Sequence, residues 1–158
     1  MSELDGKVCL VTGGAGHIGR AICEALLSEG AQVVAVGRRE PSRPIESDGN
    51  RAAFYAADLR DAVASQGLID HISERFGCLD ILVNNAGTIM RNPAAEHSDE
   101  YWDRVININL DAQFIMSREI GKKMIERGSG KIIFTCSLLS FQGGINVPGY
   151  AASKGAIT

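Results

Sequence analysis

The sequence predicts an α/β fold built on a doubly wound parallel sheet, and three observations predict it. Short apolar runs alternate with amphipathic stretches along the chain. Those runs are nearly continuous in apolar residues, as strands covered on both faces must be. A glycine cluster joins the first run to the first helical stretch, where a parallel strand would hand over to its crossover helix.

The elements follow in order. Lys7–Thr12 (KVCLVT) is rich in β-branched residues and ends in glycines, so it reads as a strand. Residues 18–29 read as a helix with Ile18, Ile22, Ala25, Leu26 and Leu27 on its apolar face. Gln32–Val36 is a second strand and Phe54–Ala57 a short third. Between these two lies Glu40–Asn50, with two prolines, one glycine and no helical period. It reads as a short polar loop or an abbreviated helix. Val63, Leu68, Ile69, Ile72 and Phe76 recur at helical spacing, weakened by Gly67. Leu79–Val83 is the fourth strand. A long helix spans Asp99–Glu126, carrying Trp102, Val105, Ile106, Leu110, Phe114, Ile120 and Met124. Lys131–Cys136 is the fifth strand, and another helix opens near Tyr150. Gly155–Thr158 ends in an apolar-rich stretch, so the sheet is expected to be truncated after its fifth strand. Residues 1–158 would then be the N-terminal part of one longer domain.

Composition narrows the function classes. The chain has 158 residues, 45% apolar and 22% charged, which suits one soluble globular unit. A net charge of −3 provides no broad basic surface for nucleic acid or anionic lipid. Cys9, Cys23, Cys78 and Cys136 are widely spaced, three of them in or beside apolar runs, and read as small core residues in a reducing compartment. His17, His71 and His97 lack ligand spacing, so no metal site is expected. No basic-then-apolar leader and no membrane-length apolar run occur, which implies a cytoplasmic protein that does not bind membranes.

The glycine turn is the first chemical motif. In Thr12-Gly-Gly-Ala-Gly-His-Ile-Gly19, glycines 13, 16 and 19 follow a strand and open a helix. Such a turn lets backbone N–H groups approach a pyrophosphate at a helix N-terminus, the Rossmann-like arrangement for a dinucleotide. The alternative is a tight strand–helix turn without a ligand. An acid is expected near the end of the second strand when the ribose 2′-hydroxyl is held, but Gly37, Arg38 and Arg39 stand there. Arginine at that place can pair with a 2′-phosphate, which favours NADP over NAD; the alternative is a solvated loop.

Tyr150 and Lys154 form the second motif. Four residues apart on a helix, they share a face. A cation beside a phenol favours the phenolate, and a phenol so placed can exchange a proton with an alcohol or ketone. On spacing alone, an exposed surface pair is the commoner reading.

Taken together, TGGAGHIG (12–19), NNAG (84–87), Ser137 and Tyr150-x-x-x-Lys154 occur in the order of the short-chain dehydrogenase/reductase family, which the whole chain resembles. The resemblance implies a general acid/base role for Tyr150. Lys154 would assist it and bind the nicotinamide ribose, Ser137 would hold the substrate oxygen, and Asn109 would hold a relay water. It further implies cofactor contacts from Gly13, Gly16, His17, Ile18, Gly19, Arg38, Asn85, Ala86 and Gly87, and adenine contacts from Asp58 and Leu59. Asp58 fits equally as a cap for the helix from residue 61; for Asn109 the less favoured alternative is a helix residue bonding only its own backbone. The family's turn has glycine where this chain has His17, which either crowds the pyrophosphate or faces solvent.

The run Ser137-Leu-Leu-Ser-Phe-Gln-Gly-Gly, with Asn84 to Arg91, looks like family members that act on gluconate-type sugar acids. A carboxylate substrate wants a cation, for which Arg91 is the candidate, or else a solvated loop arginine. Gln142 would bond sugar hydroxyls or cap its loop. A ketone reductase acting on 3-oxoacyl thioesters and a non-catalytic dinucleotide-binding protein are the competing readings. The resemblance also implies a homotetramer.

Overall fold

A computed structural model describes residues 2–158. The order is β1 (Val8–Thr12), α1 (His17–Ser28), β2 (Gln32–Gly37), β3 (Glu46–Ser47), β4 (Asn50–Arg51), β5 (Ala53–Ala56), α2 (Ala62–Phe76), β6 (Ile81–Asn84), α3 (Asp99–Ile106), α4 (Ala112–Arg127), β7 (Lys131–Phe134) and α5 (Pro148–Ile157).

Five strands form one parallel sheet in the order β5-β2-β1-β6-β7. The chain steps outward from β1 to β5, then returns to the other side of β1 as β6. That reversal opens a crevice beyond the carboxyl ends of β1 and β6, where ligands of such sheets bind. Every residue of β1 is buried because both sheet faces are covered. Leu10 joins one core with Val34, Leu68, Ile72, Leu82 and Met116, while Cys9 and Val11 join the other with Cys23, Leu27 and Val33. This strict alternation of β1 between two cores follows from the two-residue pleat.

The parallel sheet and its five strands match the sequence reading; several details differ. On α1, Gly19, Cys23 and Leu27 are buried and Ile22 and Leu26 pack partly against the same core, whereas Ala25 is exposed and Ile18 is 64% exposed. Val63 is exposed at the start of α2, and Trp102 and Phe114 are exposed along the long helix. That helix is also not continuous. A π-turn over Asn107–Asp111 separates α3 from α4, and it carries the buried Asn109. The sheet strands begin or end up to two residues from the predicted limits, notably at Ala53, Ile81 and Phe134.

Segment 40–50 contains no helix. It forms part of a small antiparallel hairpin, β3–β4, turned by Asp48 and Gly49, both at positive φ (50° and 80°). Two positive φ values in sequence are the signature of the two-residue hairpin turn, and Asp-Gly is its preferred dipeptide. Ile45, just before β3, is 2% exposed in the core beside Cys23 and Leu27.

The cysteine expectation needs correction too. Cys9 and Cys23 are buried, and burial pushes each thiol up to about 12, so both are unreactive core residues. Cys78 is half-buried, and Cys136 is exposed just after β7, the edge strand of the sheet.

Candidate active site

The glycine turn crosses the carboxyl end of β1, and three of its glycines are dictated by space. Gly13 has φ +66° and faces the backbone of Ala86. A Cβ on Gly14 would stand 2.7 Å from Cβ of Ala35, and one on Gly19 would stand 2.2 Å from the Gly13 carbonyl. Gly16 is the N-cap of α1, which has no side-chain cap and no acid in its first turn. The helix end therefore presents uncapped backbone N–H groups, as an anionic phosphate requires. His17 and Ile18 are exposed at this end.

Thr12 joins this turn to the segment after β6. Its Oγ1 accepts the N–H groups of Asn85 and Ala86, both at 3.0 Å, and donates to the Val83 carbonyl. Asn85 returns its side-chain amide to the Thr12 carbonyl at 3.0 Å. Gln113, from α4, donates to the Ala86 carbonyl at 2.9 Å. A cleft of about 370 Å³ lies between these walls, lined by Gly13, Gly16, Arg38, Asp58, Leu59, Ala86 and Gly87 among others. Asn85 and Gly19 stand next to these lining residues: the Asn85 side chain bonds the Thr12 carbonyl, and Gly19 packs against Gly13. Thr12 and Gln113 were missed as site residues, and no local pattern marks either, because their partners lie far away in the chain.

At the far end of the cleft, Arg38 and Arg39 line the wall and are exposed. Asp58 pairs with Arg60 through an Nη2–Oδ2 contact of 2.5 Å. It does not cap the following helix: Asp61 does, accepting from Val63 and Ala64 N–H. The Arg60 side-chain hydrogen bond, with its N–H and the charges of Arg60 and Arg38, holds the Asp58 carboxyl down at about 2, against a smaller opposing effect of burial. A folded-state value below the ordinary 3.8 means the stabilisation is present above that pH and lost as pH falls through about 2. Asp58→Asn should therefore cost about 0.5–1 kcal/mol at neutral pH, after allowance for solvent screening. Urea melts repeated down the acid range should find that gap closing as the pH approaches 2.

The second half of the site gathers on α5. Lys154 is 4% exposed, and its ammonium donates to the Thr135 carbonyl and sits 5.9 Å from the Tyr150 ring centroid. Burial pulls its pKa below the usual lysine value, with a smaller opposing effect from Cys136. The exposed surface-pair reading is thus overturned. Ser137 caps a short 3₁₀ turn, Leu138–Ser140, accepting from Leu139 N–H. Ser140 accepts from Ser137 N–H and donates to the Lys154 carbonyl at 2.9 Å, tying the serine turn to α5. Asn109 reaches across from the π-turn. Its carboxamide accepts from Thr88 N–H and donates to the Thr88 carbonyl and to Ser153 Oγ, which itself donates to the Tyr150 carbonyl. Asn109 therefore does not bond its own helix backbone alone. Ser140 and Ser153 were missed, although both lie inside the motifs that were read.

Arg91 and Gln142 are exposed, on the loops after β6 and β7. Those loops are joined by Asn92 N–H donating to the Asn146 carbonyl at 2.8 Å, and no side-chain hydrogen bond holds Arg91 or Gln142 among the described residues. No group of metal-ligating side chains occurs, and no helix is long and apolar enough to cross a membrane, among the described residues.

The family model for short chain dehydrogenases matches residues 7–158. The chain belongs to this family. This short-chain dehydrogenase is 51% identical to 2-dehydro-3-deoxy-D-gluconate 5-dehydrogenase of Pseudoalteromonas atlantica, over 98% of its own length and 63% of the relative's. The Escherichia coli protein of that name is 42% identical, again over 98% and 63%. A Beutenbergia cavernae protein, assigned as an NAD(P)-dependent gluconate 5-dehydrogenase and crystallised with NADP at low occupancy, superposes with TM-score 0.89 at 41% identity. It is covered to 63%, and this chain to 98%. NAD⁺-bound xylitol dehydrogenase superposes with TM-score 0.88 at 28% identity, covering 99% of this chain and 62% of that one. This short-chain dehydrogenase thus spans somewhat under two thirds of the length of the relatives it matches, and their parallel α/β architecture is its own.

Proposed function

We propose that the protein is an NAD(P)-dependent oxidoreductase that interconverts a secondary alcohol and a ketone on a gluconate-type sugar acid. The observation that carries this reading is the buried Lys154 beside Tyr150 on α5, tied through Ser140 to the turn of Ser137. The names of the relatives supply the substrate class. When bound, a nicotinamide dinucleotide supplies or accepts the hydride. The chain's own groups handle the proton and the oxygen. The Tyr150 hydroxyl gives its proton to the carbonyl oxygen during reduction and takes it back during oxidation. The Ser137 hydroxyl donates to the same oxygen and steadies the charge that develops there. Lys154 holds the cofactor ribose and assists Tyr150, and Asn109 supports the proton path. Arg91 is the proposed partner of the substrate carboxylate, with Gln142 for its hydroxyls.

The cleft suits a dinucleotide, with uncapped N–H groups of α1 at one end and Arg38 at the other. His17, Ile18 and Gly19 would serve the pyrophosphate through their backbone rather than their side chains. Gly37 followed by two exposed arginines supports NADP as the preferred form. Residues 1–158 are read as the N-terminal part of one dinucleotide-binding domain of a cytoplasmic protein. The exposed Trp102 and Phe114 support a homotetramer, for which light scattering of the whole protein should return four copies.

Titration of the whole protein with NADPH and NADH should show tighter NADPH binding, weakened about tenfold by Arg38→Ala with little change for NADH. Tighter NADH binding in the wild type would refute the NADP assignment. Turnover assays should find activity on gluconate-type acids rather than 3-oxoacyl thioesters. Absence of turnover on every sugar acid would refute the substrate class.

A further inference from the structure

The segment between β2 and β5 departs from the sheet's general plan. Where a crossover helix would cover the sheet, Pro41 and Pro44 interrupt the chain, and only the two-residue strands of the β3–β4 hairpin follow. A loop so poor in backbone pairing needs another source of order, because its Arg38 and Arg39 line the cleft.

Arg20 is that source. Its Nη1 donates to the Pro44 carbonyl at 2.9 Å and its Nη2 to the Arg43 carbonyl at 2.7 Å. These two carbonyls take no other hydrogen bond among those of the described residues. The side chain is 20% exposed, and Glu24 one turn along α1 lies 3.4 Å from Nη1, which keeps the guanidinium aimed at the loop. Directly after the clamp, Ile45 enters the core and Ala52 N–H bonds its carbonyl at 2.9 Å. Arg20 also stands at the start of α1, its own N–H bonded to the Gly16 carbonyl. One helical turn therefore presents N–H groups at one end of the cleft and pins the loop that forms the other end.

We infer that Arg20 is a positioning residue for the ribose end of the dinucleotide cleft, holding the Arg38–Pro44 loop through two backbone carbonyls. The inference rests on the dinucleotide reading above. A planar fork is needed to reach two adjacent carbonyls at once, so lysine would serve only one of them.

Two measurements on Arg20→Ala and Arg20→Lys test it. In the absence of cofactor, trypsin should cut after Arg38 and Arg39 about tenfold faster in Arg20→Ala than in the wild type. The bond after Arg43 precedes proline and is resistant. With cofactor, KM for NADPH should rise about tenfold while kcat at saturation stays within about twofold, and Arg20→Lys should fall between. Equal cleavage rates in wild type and Arg20→Ala would overturn the clamp. Unchanged KM for both dinucleotides, or a fall in kcat as large as the rise in KM together with a collapsed melting temperature, would overturn its positioning role. A wild type that prefers NADH would refute the NADP assignment alone, because the proteolysis arm does not depend on which cofactor binds.

Discussion

Tyr150→Phe is expected to lower kcat about 1000-fold while leaving the fold and dinucleotide affinity in place. The phenyl ring is half-buried at the start of α5 and remains in the variant, so packing is preserved and only the hydroxyl is lost. The backbone ties at this point do not involve that hydroxyl: Ser153 bonds the Tyr150 carbonyl, and Ser140 bonds the Lys154 carbonyl. Thermal melts of the two proteins should agree within about 2 °C, as for a substitution that removes no buried contact. Steady-state assays in both directions, with a dinucleotide titration alongside, separate the possibilities. Wild-type turnover would refute the proton-transfer role. Loss of dinucleotide binding together with turnover would make Tyr150 a cofactor-positioning residue instead.

The second large effect concerns stability. Thr12→Val is expected to destabilise the protein by about 2–5 kcal/mol, because it strands two backbone donors at a buried junction. Thr12 is fully buried, and its single oxygen accepts the N–H groups of both Asn85 and Ala86. Valine keeps the shape, so packing changes little and the loss comes from the unpaired N–H groups. Thr12→Ser retains the oxygen and should restore most of the stability. Urea unfolding of the three proteins measures this, and a cost below about 1 kcal/mol for valine would show that other groups satisfy those donors. Dinucleotide affinity should weaken in the valine variant too, since Ala86 and Gly87 form part of the cleft wall.

Much of the fold was legible because its signals are local. Apolar runs located β1, β2 and β6 to within two residues, and the glycine spacing located the turn before α1. Asp48-Gly49 is an equally local signal, a preferred dipeptide for the two-residue hairpin turn, masked in the sequence by the two prolines before it. The break in the long helix was not legible. Asn107–Asp111 holds two asparagines and an aspartate, weak helix formers that do not by themselves specify a π-turn, and the turn belongs with the contacts of Asn109 to Thr88 and Ser153. Trp102 and Phe114 fit a helical period, but period alone does not say whether an apolar residue meets this chain's own core or its surface.

By itself, the sequence determined the alternation of strand and helix, the tight glycine turn, and the sharing of one helical face by Tyr150 and Lys154. Each of these depends on residues within a few positions of one another, where covalent geometry and helical or strand period leave little choice. The tertiary structure alone decided the strand order, the union of Thr12 with Asn85 and Ala86 across 73 and 74 positions, and the clamp of Arg20 on the loop after β2. It also decided that Lys154 is buried rather than solvated. Those outcomes depend on which distant groups close packing brings to a shared hydrogen bond, and a single buried donor or acceptor leaves no periodic mark on the chain that carries it.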